Sequence, residues 1–67
     1  MAFDDRKREI ILAMADCSMN LHDVAETTHY HRNTVEYHCK QIFEKTGLNP
    51  RCFYDLVRLV CMVKGIG

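Results

Sequence analysis

The stretch HRNTVEYHCKQIFEKTG, residues 31–47, decides the fold of this chain. Its more apolar side chains recur at positions three or four apart, as on one face of a helix. They are Val35, Cys39, Ile42 and Thr46, with Phe43 beside them. Gly47 is the residue type that most often ends a helix. The stretch therefore predicts a helix over about residues 31–46 that is buried along one side.

The opposite face of this predicted helix is polar. At about 100° per residue, five side chains point away from Val35: Asn33, Glu36, Tyr37, Lys40 and Glu44. Asn pairs with adenine, Glu with the cytosine amino group, Lys with guanine, and a tyrosine ring contacts a thymine methyl. The face therefore suits the base edges of a DNA major groove. The alternative is a ladder of solvated charges in which Glu36, Lys40 and Glu44 only stabilise the helix.

Two shorter helices are predicted before this one. Asp4 and Asp5 suit a helix N-terminus, and apolar residues at helical spacing follow, which predicts a helix over about 4–16. Asn20 is a good N-cap for a second helix over about 20–28. Only a tight turn separates that helix from the one at 31–46.

A fourth helix is predicted over about residues 50–64. Asn49 would cap it, Pro50 would open it and Gly65 would end it, which is the usual order of proline first and glycine last. A short helix, a tight turn and a longer helix form a helix-turn-helix layout. We therefore expect an all-α fold, a four-helix helix-turn-helix domain without a wing, and a single domain over residues 1–67.

The overall charge does not favour a nucleic-acid partner. Nine Lys and Arg residues balance nine Asp and Glu residues, whereas DNA-binding domains usually carry a basic excess. Between residues 29 and 51, however, four basic residues face two acidic ones, a net charge of plus two. We expect a modest basic patch on one side of the molecule. The four histidines, at 22, 29, 31 and 38, would strengthen DNA binding on protonation.

Several other classes of protein are not favoured. No apolar run approaches the roughly 20 residues of a membrane span. No secretory signal precedes the four cysteines, and none of their spacings is short and paired, so we expect reduced thiols in the cytoplasm. The histidines lack a C-x-x-C companion, so no metal or other cofactor is predicted. No phosphate-binding loop, carboxylate pair or nucleophile with its base is recognisable, so we do not expect an enzyme.

The predicted fourth helix is apolar around more than half of its circumference. One stripe, expected to face the core, contains Phe53, Leu56, Val57, Val60 and the stem of Lys64. Three further residues widen it: Cys52, Leu59 and Val63. A core-facing helix needs a narrower apolar arc. We therefore predict that these three contact a second copy in a homodimer, the alternative being cover by a neighbouring domain.

The segment HRNTVEYH, followed by Ile42 and TGL at 46–48, resembles the C-terminal helix-turn-helix domain of PucR-type transcriptional regulators. TVEYH, IFEKTGL and DLVRLV are also similar to LuxR-type DNA-binding domains, and the likeness covers about residues 8–63. It implies that the helix at 31–46 enters the major groove. The implied contact residues are Arg32, Asn33, Thr34, Glu36, Tyr37 and Lys40.

The sequence departs from both families in three places. His38 stands where PucR-type domains commonly have Arg, and Cys39 stands where both families usually have Leu. Glu36 replaces a basic residue that is frequent in LuxR-type domains. The lost cations bear on the affinity for DNA rather than on the layout of the helices.

Together these features predict a sequence-specific DNA-binding domain of a transcriptional regulator, with double-stranded DNA as its partner. Arg32, Lys45 and Arg51, with the start of the second helix, would contact phosphates. Bases would be read by Asn33, Glu36, Tyr37 and Lys40. The alternative is a helical protein-interaction or dimerisation module that never touches DNA, which the zero net charge favours.

Overall fold

The structure is a computed structural model that describes residues 4–65. Within this range the chain forms four α-helices and no strand, which confirms the all-α prediction. The helices are α1 (Asp5–Asp16), α2 (Leu21–Thr28), α3 (Arg32–Thr46) and α4 (Phe53–Lys64). None of the four combines the length and apolar character that crossing a bilayer requires.

Local capping chemistry sets three of the helix ends where the sequence predicted them. The Asp4 carboxylate accepts a hydrogen bond from the Lys7 backbone N–H at 2.8 Å, and so caps α1. The Asn20 side chain accepts from the N–H groups two and three residues further on, and so caps α2. Gly47 ends α3 at a φ of +74°, a left-handed conformation that glycine adopts without steric cost.

Helix α1 is the centre of the packing, because it contacts each of the other three helices, while α2 also packs on α3. Its side chains Ile10, Ile11 and Met14 are fully buried. Val35 and Ile42 of α3 are buried too, as predicted from their spacing. Each large apolar side chain removed from water contributes roughly 1.5–3 kcal/mol, so these contacts fix α3 on α1 and leave its other face open.

The stripe on α3 differs from the prediction at three positions, one of which is Thr46, half-buried rather than buried. Phe43, expected beside the buried residues, is 49% exposed, whereas His38 is buried at 8% exposure. The position of His38 faces α1, where Lys7 offers a hydrogen-bond partner for the imidazole. A buried polar group is tolerated when it is paired in this way.

Helix α4 begins three residues later than predicted. Pro50 is fully buried and lies before the helix rather than within its first turn. Instead of capping α4, the Asn49 side chain accepts a hydrogen bond from the Arg51 N–H at 2.9 Å, which closes a turn. The Asn49 N–H in turn donates to the Asp55 carboxylate at 3.1 Å. Proline and asparagine here form the connection between α3 and α4.

The orientation of α4 also differs from the prediction. Leu56 and Leu59 are buried against the core, while Phe53 and Val57 are 60% and 46% exposed. The expectation that Phe53 and Val57 face the core is therefore wrong. Leu59, assigned to an interface with a second copy, is a core residue of its own chain. Because α4 is apolar around most of its circumference, only its contact with α1 decides which side is buried.

Candidate nucleic-acid interface

The turn between α2 and α3 is short and tightly defined. His29 ends α2 in the left-handed conformation, with a φ of +62°. Two residues later, His31 is the N-cap of α3, and its Nδ1 accepts a hydrogen bond from the Asn33 N–H at 3.1 Å. This turn, with α2 packed on α3, is the arrangement of a helix-turn-helix.

The side of α3 opposite the core carries the predicted polar residues at its surface. Arg32, Asn33, Lys40 and Lys45 are exposed, and Tyr37 is 58% exposed. Thr34 and Glu36, also predicted to contact DNA, are half-buried. We call the surface formed by the following residues the polar face of α3: Asn33, Glu36, Tyr37, Lys40, Gln41 and Glu44.

The charges on this face are not arranged as a ladder. The Arg32 Nε lies 3.8 Å from a carboxylate oxygen of Glu36, one turn further along the helix. Within residues 4–65, neither Glu36 nor Glu44 forms an ion pair with Lys40. The alternative of a stabilising charge ladder is therefore not what the structure shows, and the Lys40 ammonium group is available to a ligand.

Gln41 belongs to the polar face, although it was not predicted from the sequence. Its side-chain Nε2 donates a hydrogen bond to the Tyr37 hydroxyl oxygen at 2.7 Å. The two residues are four apart, a spacing that places side chains side by side on a helix. That spacing was the available signal for the pair.

A small cleft lies between α3 and the turn that precedes α4. Its volume is about 190 Å³, and its walls include Lys40, Phe43 and Arg51. The partly exposed Phe43 ring thus shares this cleft with two cations at the edge of the polar face. Cys39 forms the floor, where burial raises the pKa of its thiol to about 11 even though the nearby Arg51 charge acts in the opposite direction.

His38 does not take part in this surface. Its Nδ1 lies 3.3 Å from the Lys7 Nζ, and Lys7 is itself 5% exposed. Burial, and then the Lys7 charge, lower the pKa of the His38 imidazole. The expectation that protonated His38 strengthens DNA binding is therefore wrong for this residue, because its ring faces α1.

A second exposed surface is apolar and lies on α4. Phe53, Tyr54, Val57 and Met62 are each more than 40% exposed. Beside them, a groove of about 340 Å³ runs between the end of α1 and α4. Of the residues predicted to contact a second copy, Cys52 is exposed, Val63 is half-buried against the core and Leu59 is inaccessible.

One group of potential metal ligands lies on α2. Donor atoms of His22, Asp23 and Glu26 are within 4.8 Å of one another, and all three residues are exposed. The His22 Nε2 lies 3.3 Å from a Glu26 oxygen, so these two side chains already satisfy each other one turn apart. Exposed clusters of this kind are common on helices, and no role follows from this one.

The sequence of the chain is similar to known proteins. The family model of the PucR C-terminal helix-turn-helix domain matches residues 8–64. The probable transcriptional regulatory protein SgaR of Hyphomicrobium methylovorum is 41% identical over 46 residues, which are 69% of this chain and 21% of that protein. The chain therefore matches about a fifth of the length of that relative. No solved structure gives a significant match.

Proposed function

Because the chain belongs to the family of PucR C-terminal helix-turn-helix domains, we propose that it binds duplex DNA within a transcriptional regulator and inserts α3 into the major groove. The observation that carries this proposal is the division of α3 into two sides. Its apolar side is fixed to α1 and α2, while its polar face is exposed and retains an unpaired lysine within the described residues. A helix held in this way can enter a groove without rearranging.

The proposed DNA contacts fall into two groups, those to bases and those to phosphates. Asn33, Tyr37 and Lys40 are exposed on the polar face and would read base edges. Glu36, whose carboxylate lies 3.8 Å from the Arg32 Nε, would accept a hydrogen bond from a cytosine amino group. Phosphate contacts would fix the register of the domain on the duplex. Their donors would be Arg32, Thr34, Lys45, Arg51 and the first turn of α2.

The domain would act as a homodimer through α4. Exposed apolar side chains of Phe53, Tyr54 and Val57 lie next to the groove between α1 and α4, so each copy offers both a projection and a recess. Cys52 and Val63 would lie at the edge of this contact, whereas Leu59 takes no part. A two-fold dimer would place its two α3 helices about 34 Å apart and would bind a near-palindromic site. A regulator of this kind would act in the cytoplasm.

A second candidate function is a protein-interaction module that does not bind DNA. The exposed apolar surface of α4 and the zero net charge favour it. In that case α4 would dock a partner and the polar face of α3 would be a solvated surface.

Salt dependence separates the two functions. Fluorescence anisotropy with a labelled random duplex, repeated over a series of salt concentrations, measures the number of phosphates that the protein neutralises. We expect affinity to fall steeply with salt, and Arg51→Ala to reduce the slope by about one phosphate. Arg58→Ala removes the same charge from the exposed surface of α4 and serves as the matched control. Salt-independent binding, or no binding, favours the interaction module.

A further inference from the structure

A chain of polar side chains, two of them buried, connects the N-terminus of α1 to the middle of α3. The Lys7 Nζ lies 3.4 Å from the Asp4 Oδ2 and 3.3 Å from the His38 Nδ1. Lys7 is 5% exposed and His38 8% exposed, while the Asp4 side chain is largely in solvent. The contact between Lys7 and His38 spans 31 positions of sequence and joins the helix that is central to the core to the helix proposed to enter DNA.

The chemistry of this contact fixes the protonation state of the imidazole. A lysine ammonium group has three donors and no acceptor. The Nδ1 of His38 must therefore be the acceptor, which requires a neutral ring that carries its proton on Nε2. A second proton, on Nδ1, would remove the hydrogen bond and place the imidazolium and ammonium cations 3.3 Å apart. Asp4, the carboxylate beside Lys7, is too exposed to neutralise both.

We propose that Lys7 is a positioning residue for DNA binding: through its hydrogen bond to neutral His38 it holds α3 in place, and protonation of His38 releases that hold. The idea rests on the proposed function, since it concerns the helix assigned to the groove. It predicts that acid weakens DNA binding, which is the opposite of what exposed histidines do on a DNA-binding surface.

The surroundings of His38 favour the neutral form of its imidazole. Burial has the largest effect on the imidazole and lowers its pKa; Lys7 and Arg6 add to the effect, and Asp4 opposes it. All three charged groups lie at the start of α1, and the Tyr37 ring meets the imidazole edge-on at 5.7 Å. The folded state binds this proton less readily than the unfolded state does. The contribution of the Lys7–His38 pair to the free energy of unfolding is therefore complete above about pH 6.5, the ordinary pKa of histidine, and declines below it.

The decisive variant is His38→Gln, whose side-chain amide is uncharged and capable of hydrogen bonding but does not titrate. Dissociation constants for one duplex are measured at about pH 7.5 and about pH 5.5, a range that spans the ordinary titration of histidine. The affinity of the wild-type protein should fall at least about threefold relative to that of His38→Gln, since a single linked proton permits up to about tenfold per pH unit. His29→Asn, at the exposed C-cap of α2, is the matched control, because asparagine tolerates the left-handed conformation found there, and it should keep the wild-type difference.

Lys7→Met tests the other partner. It retains an apolar stem and removes the second cation, so it should weaken binding at neutral pH and reduce the further loss at acid pH. Equal acid dependence in the wild-type protein, His38→Gln and Lys7→Met would overturn the proposal. An absence of DNA binding by every variant would overturn the proposed function instead.

If no variant binds DNA, two measurements that do not involve DNA still test the pairing of Lys7 and His38. In urea unfolding, the wild-type protein should lose more stability on acidification than His38→Gln, and equal losses would contradict the role of the pair. If the glutamine variant does not fold, NMR of the wild-type protein follows the His38 ring and the amides of α3 together. Amide shifts along α3 that share the His38 midpoint support the proposal, and amides that do not respond overturn it.

Discussion

The side-chain amide of Gln41 donates a hydrogen bond to the hydroxyl oxygen of Tyr37, one turn earlier on α3, at 2.7 Å. The bond occupies an acceptor site of the hydroxyl and leaves its proton free to donate. Since Tyr37 is 58% exposed, its hydroxyl is accessible to a ligand at the polar face. Gln41 therefore holds the tyrosine ready to contact a phosphate or a base.

We predict that the two residues act as a unit in DNA binding. Tyr37→Phe should cost about 0.5–1.5 kcal/mol of binding free energy, the usual net value of one hydrogen bond. Gln41→Ala should cost less, because it removes only the restraint on Tyr37. In the double variant the Gln41 effect should largely disappear, which a double-mutant cycle by anisotropy measures. Fully additive losses would show that Gln41 contacts DNA independently.

The apolar surface of α4 predicts a self-association that one charge disrupts. Val57→Lys places an ammonium group beside Phe53 at the groove, so sedimentation should show a shift from dimer to monomer. Val57 is 46% exposed, so the stability of each copy should change little. Thr27→Lys adds the same charge at an exposed position of α2 and should leave the dimer intact. A wild-type protein that is monomeric at high concentration contradicts the dimer.

The His31 imidazole, as the N-cap of α3, predicts an unusual pattern of substitutions. His31→Asn should preserve stability, because asparagine is among the best N-cap residues and does not titrate near neutral pH. His31→Ala should cost about 1 kcal/mol of unfolding free energy, since the Asn33 N–H loses its acceptor. Urea denaturation at neutral pH measures both. An alanine variant as stable as the wild type would rule out the cap.

The cysteines should differ in reactivity according to burial. Burial raises the pKa of Cys39 to about 11, so its thiol stays protonated in mildly alkaline solution, whereas Cys52 is exposed. Iodoacetamide should modify Cys52 first and Cys39 last, because only the thiolate is nucleophilic. Mass spectrometry of digested protein gives the order. In urea the difference should vanish, and rapid modification of Cys39 in the folded protein would contradict its placement.

The features that sequence predicted well are those that depend on near neighbours. Asn20 caps α2 and Gly47 ends α3 because both effects involve atoms within one helical turn. The exposure of Asn33, Tyr37 and Lys40 followed from the helical period once Val35 was assigned to the core. Each of these requires only the order of residues along one element.

The features that sequence missed depend on contacts between distant parts of the chain. Nothing local to Lys7 or His38 predicts burial, since the two side chains meet across 31 positions of sequence. The predicted orientation of α4 was wrong because Leu59 and Val57 are equally apolar. Only packing against α1 distinguishes them. The late start of α4 has the same origin, since Pro50 is buried in the connecting turn.

The most direct test of the central claim, that the polar face of α3 reads DNA, is selection from a random duplex pool followed by affinity measurement on the enriched sequence. We predict a conserved, near-palindromic site. Lys40→Ala should bind it about 1–3 kcal/mol more weakly and lose preference at one base position, while Arg58→Ala on α4 should select the same site. If no sequence is enriched, or Lys40→Ala binds with unchanged affinity and preference, α3 does not read DNA as proposed.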